Sequence, residues 1–358
     1  MQDKRGALMA VHGGLDEAEL HAFGLDPTAV LDFSSNLNPL GPSEAVLRAA
    51  AAADITSYPD PRSTQLREAL AAQSDVHPDQ VLVGNGATEL IHLLAQAYLG
   101  PDLCCVILEP TFGEYRAAAE MAGSTVVPIR ATAENKFRWN IATAAQTFRD
   151  RCPSLVFLCN PNNPTGRYLD LPEVEELADA IPKQGLLVLD DAYAHFVEQA
   201  WDACSLLERN NIVVLRSLTK AHALAGVRLG CLIAPKSVVA AVERRQHSWS
   251  VNAVAQTAGL AAVKDEAHVN RARCAVRESR EYLSHELRRL GLTPEPSVAN
   301  FLLVDVCNAS VVRKALLQQQ IVVRDCASFG LPQHIRIAVR QRHECEQLIT
   351  ALAEVMSP

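Results

Sequence analysis

The stretch GLLVLDDAYAHFVEQAWDACSLLERNNIVVLRSLTKAHALAGVRLGCLIAP, residues 185–235, holds three short apolar runs: GLLVLD at 185–190, NIVVLRS at 211–217 and GCLIAP at 230–235. Runs of this length without polar alternation read as strands buried on both faces. Upstream lie four more: QVLVG at 80–84, CCVILEP at 104–110, TVVPI at 125–129 and SLVFLC at 154–159, separated by helix-length spacers. Together the seven runs predict an α/β domain built on a mostly parallel sheet with helices on both faces.

Past residue 235 the pattern turns helical, with VVAAVERRQ and then an Ala-, Arg- and Glu-rich stretch from 252 to 290 that predicts one long helix linking two domains. ANFLLVDV at 299–306, a helix near 309–319, short strands at IVVR and HIRIAV, and a closing helix at 342–356 predict a small α+β domain. The first 45 residues show little periodicity and are expected to pack against it. The expected organisation is an N-terminal segment 1–45, a large domain 46–264 and a small domain 265–358.

Composition narrows the function. Of 358 residues, 49% are apolar and 21% charged, which excludes a disordered or fibrous chain. The net charge of −8, without a basic run, argues against nucleic acid as partner. Ten scattered cysteines lack metal-ligand spacing and read as buried thiols of a reducing compartment. No apolar segment has the length of a signal peptide core or a membrane span, so a cytoplasmic location without membrane association is expected.

The chemistry concentrates at strand ends. Lys220, in RSLTKAHALAGVRLG at 216–230, is expected in a loop of small and apolar neighbours. There an ammonium loses hydration, its pKa falls, and the amine can form a Schiff base with a carbonyl. Alone, a surface lysine would be the simpler reading. Ser217, Thr219 and Arg228 nearby supply hydroxyls and a guanidinium suited to a phosphate. A lysine beside a phosphate site suggests pyridoxal 5′-phosphate.

That cofactor makes further demands. Its ring nitrogen needs a carboxylate, and Asp190 ends the run GLLVLD where α/β sheets place ligands. Asp191 reads instead as a helix cap. Tyr193 and Asn163, the latter in CNPNNPTG at 159–166, are candidates for the phenolic oxygen. GNGATE at 84–89 opens a helix, so the N–H groups of Gly86, Ala87 and Thr88 can receive a phosphate. Phe112, in EPTFGEY, can stack on the ring. Each has a bland reading as turn or core, but all follow strand ends of one sheet.

In order, the motifs YPDP, GNGATE, PTFGEY, NPNNPTG, DDAY, SLTK and AGVRLG resemble the class I/II aminotransferase family of fold-type I pyridoxal-phosphate enzymes, in particular its histidinol-phosphate aminotransferase branch. The resemblance implies the fold-type I transferase architecture, Lys220 as the cofactor-bound lysine, Asp190 as the ring-nitrogen partner, and a homodimer in which Tyr58 reaches the neighbouring cofactor phosphate. Asn163, Tyr193, Phe112, Ser217, Thr219 and Arg228 take the contacts described above.

Within that branch, HGG at 12–14, LDFSSNLNPLG at 31–41, WSVNAVA at 249–255 and RIAVR at 336–340 look closer to threonine-phosphate decarboxylases of cobalamin biosynthesis. The implied reaction is decarboxylation of O-phospho-L-threonine to (R)-1-amino-2-propanol phosphate. A histidinol-phosphate aminotransferase or related aminotransferase is the alternative. By the same resemblance, Arg336 binds the substrate carboxylate, and His12, Asn36, Asn163, Arg324 and Arg340 complete the site for a phosphorylated amino acid. A DNA-binding regulator is disfavoured by the acidic balance, and an oxidoreductase by the lack of G-x-G-x-x-G.

Overall fold

The computed structural model describes residues 11–356; the first ten residues of the expected N-terminal segment, and the last two, lie outside it. Among the described residues, twelve strands occur in chain order: β1 (Leu31–Asp32), β2 (Val81–Gly84), β3 (Cys104–Glu109), β4 (Thr125–Arg130), β5 (Leu155–Cys159), β6 (Leu186–Asp190), β7 (Ile212–Ser217), β8 (Gly230–Ile233), β9 (Phe301–Asp305), β10 (Ile321–Val322), β11 (Arg324–Asp325) and β12 (His334–Ala338). The seven apolar runs become one sheet of order β2-β8-β7-β6-β5-β3-β4.

All its pairs are parallel except those of β8, which runs antiparallel to both β2 and β7. Segment 218–229 holds only a four-residue helix and a 3-10 turn and does not cross over the sheet, and β8 returns antiparallel beside β7. The consequence is chemical: Lys220 and Arg228 share one connection at the carboxyl end of β7.

Both faces of the sheet are covered. Phe157 on β5 and Val188 on β6 point into one apolar core, while Val156, Leu158, Leu187 and Leu189 point into the other. Period-2 alternation between two buried faces is why β5 and β6 stay apolar along their length, up to Asp190 at the end of β6. Burial of a side chain such as Phe157 contributes about 2–3 kcal/mol.

A three-stranded antiparallel sheet, β11-β12-β9, forms with the C-terminal helices. β1 pairs in parallel with β10, Leu31 opposite Ile321, so the N-terminal segment is joined to this C-terminal part by backbone hydrogen bonds. The stretch 252–290 is two helices, Ala253–Val263 and Glu266–Arg289, rather than one. Asp265 breaks it: its carboxylate accepts from the backbone N–H of His268 and starts a new helix. The cysteines are all free thiols, but Cys152, Cys274 and Cys307 are exposed, against the expectation of burial. Among the described residues, no helix is long and apolar enough to cross a membrane.

Candidate active site

A cavity of about 340 Å³ opens at the carboxyl edge of the large sheet. Its floor comes from the ends of β5, β6 and β7, with Cys159, Asp190 and Ser217, and its roof from N-terminal residues His12, Gly13 and Ser34 to Leu37. Ligands are expected at this edge of an open parallel sheet. The structure brings Asn36, Ala87, Thr88, Phe112, Asn163, Asp190, Tyr193, Ser217, Thr219, Lys220, Arg228 and Arg336 together in its walls.

One end has the form of a phosphate cradle. Helix Gly86–Tyr98 points its N-terminal N–H groups at it, and Ser217 Oγ and Thr219 Oγ1 lie 2.7 Å apart beside it. Gly86 has φ +79°, and a Cβ there would come within 2.7 Å of the Arg228 guanidinium. A Cβ at Gly230 would come within 2.6 Å of the backbone nitrogen of Ala87. Both glycines keep the guanidinium and the helix end close, and Gly86 itself serves as spacer beneath Arg228. This donor set fits the phosphate of pyridoxal 5′-phosphate.

Lys220 lies in a short helix, Leu218–Ala221, where the sequence predicted a loop. Burial, with the charges of Arg336 and Arg228, lowers its ammonium to about 8, against the opposing pull of Asp190. The Lys220 amine is thus accessible in its neutral, nucleophilic form near neutral pH. Its Nζ stands 6.0 Å from the centre of the Tyr193 ring.

Asp190 receives the Tyr115 hydroxyl at 2.6 Å and the N–H of Ala192 at 3.0 Å. Burial raises its carboxyl, and those two hydrogen bonds and Lys220 oppose the rise. Tyr115 escaped sequence reasoning although it sits in the EPTFGEY motif, because its partner is far away in the chain. Asp191 is not a helix cap: it faces Arg216, 3.4 Å from Nε, and burial pushes its carboxyl up to about 7.

At the other end, Arg336 donates to Asn163 Oδ1 at 2.5 Å and to the Ser34 carbonyl at 2.6 Å, and its Nε is buried without a protein partner. Asn36 donates to the Tyr193 hydroxyl at 3.3 Å and leaves its own buried Oδ1 unpartnered. Unmet polar atoms at this end are the expected sign of a polar ligand. Phe112 flanks the cavity, edge-on to Tyr115 and 5.7 Å from it.

Two expected contacts, Arg340 and Arg324, lie elsewhere. Arg340 turns away from the cavity to pair with Glu344, bonds the Asp32 carbonyl at 3.1 Å and covers Phe33. An acidic partner one helical turn on, at i+4, holds it outside. Arg324 does not line the cavity; it donates to the Val11 carbonyl at 2.7 Å and to Ser328 at 2.6 Å, behind the N-terminal segment. Tyr58, expected at the neighbouring copy's site, is 81% exposed outside its own chain's cavity and stacks 4.6 Å from Trp249. Sequence reasoning also missed Glu114, which holds His12 at the cavity mouth, and His92, which holds Glu114.

The chain belongs to the aminotransferase class I and II family, whose model matches residues 28–352. It is an enzyme of the fold-type I, pyridoxal-phosphate-dependent class. Histidinol-phosphate aminotransferase from Symbiobacterium thermophilum is 38% identical over 327 residues, covering 90% of each chain. The protein of the same name from Moorella thermoacetica is 36% identical over 335 residues, 92% of this chain and 86% of its own. The fold is shared with histidinol-phosphate aminotransferase from Sinorhizobium meliloti in complex with pyridoxal-5′-phosphate, at TM-score 0.89 and 24% identity over 99% and 97% of the two chains.

Proposed function

We propose that this protein is a homodimeric aminotransferase that takes its amino group from a phosphorylated amine of the histidinol-phosphate type. The observation that carries the reading is the pairing, in one cavity, of Lys220 with a cationic end at Arg336 and a second polar end at His12. The names of the relatives support the reaction type. The outward Tyr58–Trp249 pair supports the dimer, since a ring so exposed is available to a second copy.

The residues divide the work. Ser217, Thr219, Arg228 and the helix start at Gly86 would hold the cofactor phosphate, and Asn163 and Tyr193 its phenolic oxygen. When bound, the cofactor supplies an electron-withdrawing ring that stabilises negative charge at the substrate Cα. Asp190, whose ionised form the Tyr115 hydroxyl favours against burial, would hold a proton on the ring nitrogen. Lys220 Nζ would take the Cα proton, a role suited to an amine titrating at about 8. Arg336 orients the carboxylate of the keto-acid acceptor. The test is loss of the Cα hydrogen of glutamate in deuterated buffer, followed by nuclear magnetic resonance. Exchange without carbon dioxide release supports transamination, and its absence in active enzyme overturns it.

A second reading, decarboxylation of O-phospho-L-threonine, is favoured by one observation. The N-terminal motifs that resemble decarboxylases supply His12, Gly13, Ser34, Ser35, Asn36 and Leu37 to the cavity wall. Arg340, the sharpest of those likenesses in sequence, does not contribute to it. The two readings differ in which Cα bond is set perpendicular to the ring, and both call for a phosphorylated amine.

A further inference from the structure

The mouth of the cavity is crossed by residues 11–14, whose anchors come from distant parts of the chain. Arg324 holds the Val11 carbonyl, and the Gly14 N–H donates to Ser34 Oγ at 2.8 Å. A Cβ at Gly13 would lie 2.3 Å from the Ser34 carbonyl oxygen and 3.2 Å from Arg336 Nη2, so only glycine lets the segment lie this close. Between these anchors His12 reaches the large domain. Its Nε2 is 2.7 Å from Glu114 Oε1, and the other oxygen of that carboxylate is 2.8 Å from His92 Nε2.

Glu114 is a buried carboxylate in the first turn of helix Glu114–Met121, two residues after Phe112. His92 lies on the helix that begins at Gly86. Hydrogen bonds from His12 and His92 hold the Glu114 carboxyl down at about 2, so it is an ionised acceptor across the working pH range. An ionised carboxylate requires the hydrogen on Nε2 of each ring. His12 is therefore held with Nε2 outward to Glu114, its ring leaning on Phe112 at 5.6 Å, and with Nδ1 as its remaining polar atom.

We propose that Glu114 is a positioning residue: steered by His92, it fixes His12 so that the doubly protonated ring donates from Nε2 to Glu114 and from Nδ1 to the distal anion of the substrate, and it thereby selects phosphorylated over unphosphorylated amines. This rests on the reading that the site takes a phosphorylated amine. It adds a carboxylate to an anion-binding site, where like charge would otherwise be excluded. The geometry explains the choice, because both Glu114 oxygens are occupied by histidines and none is left to face the anion.

The test is a double-mutant cycle on cofactor-loaded protein. Wild type, His12→Ala, Glu114→Gln and the double variant are titrated by calorimetry with histidinol phosphate against histidinol, and with O-phospho-L-threonine against threonine. For the better-bound pair, each single variant is expected to cut the preference for the phosphorylated member about tenfold, the value of one charge-assisted hydrogen bond. The double variant should lose no more than His12→Ala alone. Additive losses, or equal weakening of both members by Glu114→Gln, overturn the assignment. Should Glu114→Gln fail to fold, His92→Ala is expected to give a smaller loss in the same direction, and an unchanged preference overturns the assignment. Equal binding of both members by wild type would instead overturn the phosphorylated-amine reading, and with it any anion for His12 to hold.

Discussion

Tyr115 donates its phenolic hydrogen to Asp190 over 2.6 Å, and both groups are buried at the end of β6. Burial alone would favour the neutral carboxylic acid, which cannot keep a proton on the cofactor nitrogen. On the proposed reading the hydroxyl is therefore part of the chemistry. Tyr115→Phe is expected to lower kcat about tenfold and to move the acid limb of the rate profile to higher pH, because Asp190 loses a bond to its ionised form. An unchanged acid limb in a pH–rate series would contradict this role.

Lys220 offers a test without substrate. Its ammonium titrates at about 8 in the fold, against 10.5 for an ordinary lysine. Between these values the unfolded chain binds more protons, so stability rises with pH; below about 8 the buried charge is a full penalty. In cofactor-free protein, Lys220→Met should therefore be more stable than wild type at pH 7 by up to about 3 kcal/mol, with the gain vanishing above pH 10.5. Urea unfolding at both pH values measures this. A gain independent of pH would refute the assigned shift.

Arg336 bonds Asn163 and the Ser34 carbonyl with two of its nitrogens, and this planar fork is not available to lysine. Arg336→Lys is expected to raise KM for 2-oxoglutarate by about thirtyfold or more, the cost of breaking a buried charged contact. Cofactor content should stay near that of wild type. Steady-state kinetics with varied keto acid decides the matter.

Arg340 has the opposite expectation. Its bonds run to Glu344 and to the Asp32 carbonyl, so Arg340→Ala should cost about 1 kcal/mol of stability and leave KM unchanged. A raised KM for a phosphorylated substrate would restore the substrate role that its position in RIAVR suggested.

The exposed Tyr58 makes a prediction about assembly. If each copy lends this ring to the other's site, mixing inactive Lys220→Ala with the weakened Tyr58→Ala variant regenerates one intact site per mixed dimer. Activity of the mixture should then exceed the sum of the separate variants. No recovery after subunit exchange would place Tyr58 outside the site.

The cofactor side of the site was legible in sequence because each contributor follows a strand end, and strand ends announce themselves as apolar runs closed by turn residues. Lys220, Asp190, Asn163 and the helix start at Gly86 are all of this kind. Tyr115 was not legible, since its position on a helix face says nothing of Asp190 on another strand. Glu114 and His92 stayed hidden for the same reason: three chain-distant segments meet only through the fold. Arg340 shows the reverse case, for Glu344 one helical turn away was visible and should have marked an ion pair. The break before the helix at Glu266 was likewise written in Asp265, which a reading of helical periodicity passed over.

The central claim is transfer of an amino group from a phosphorylated amine. It is tested most directly by incubating cofactor-loaded protein with histidinol phosphate and 2-oxoglutarate, beside O-phospho-L-threonine alone, and following glutamate and carbon dioxide together. The account predicts glutamate from the first mixture and no carbon dioxide from the second. Carbon dioxide and 1-amino-2-propanol phosphate from the second, with no glutamate from the first, would contradict it and make the enzyme a decarboxylase.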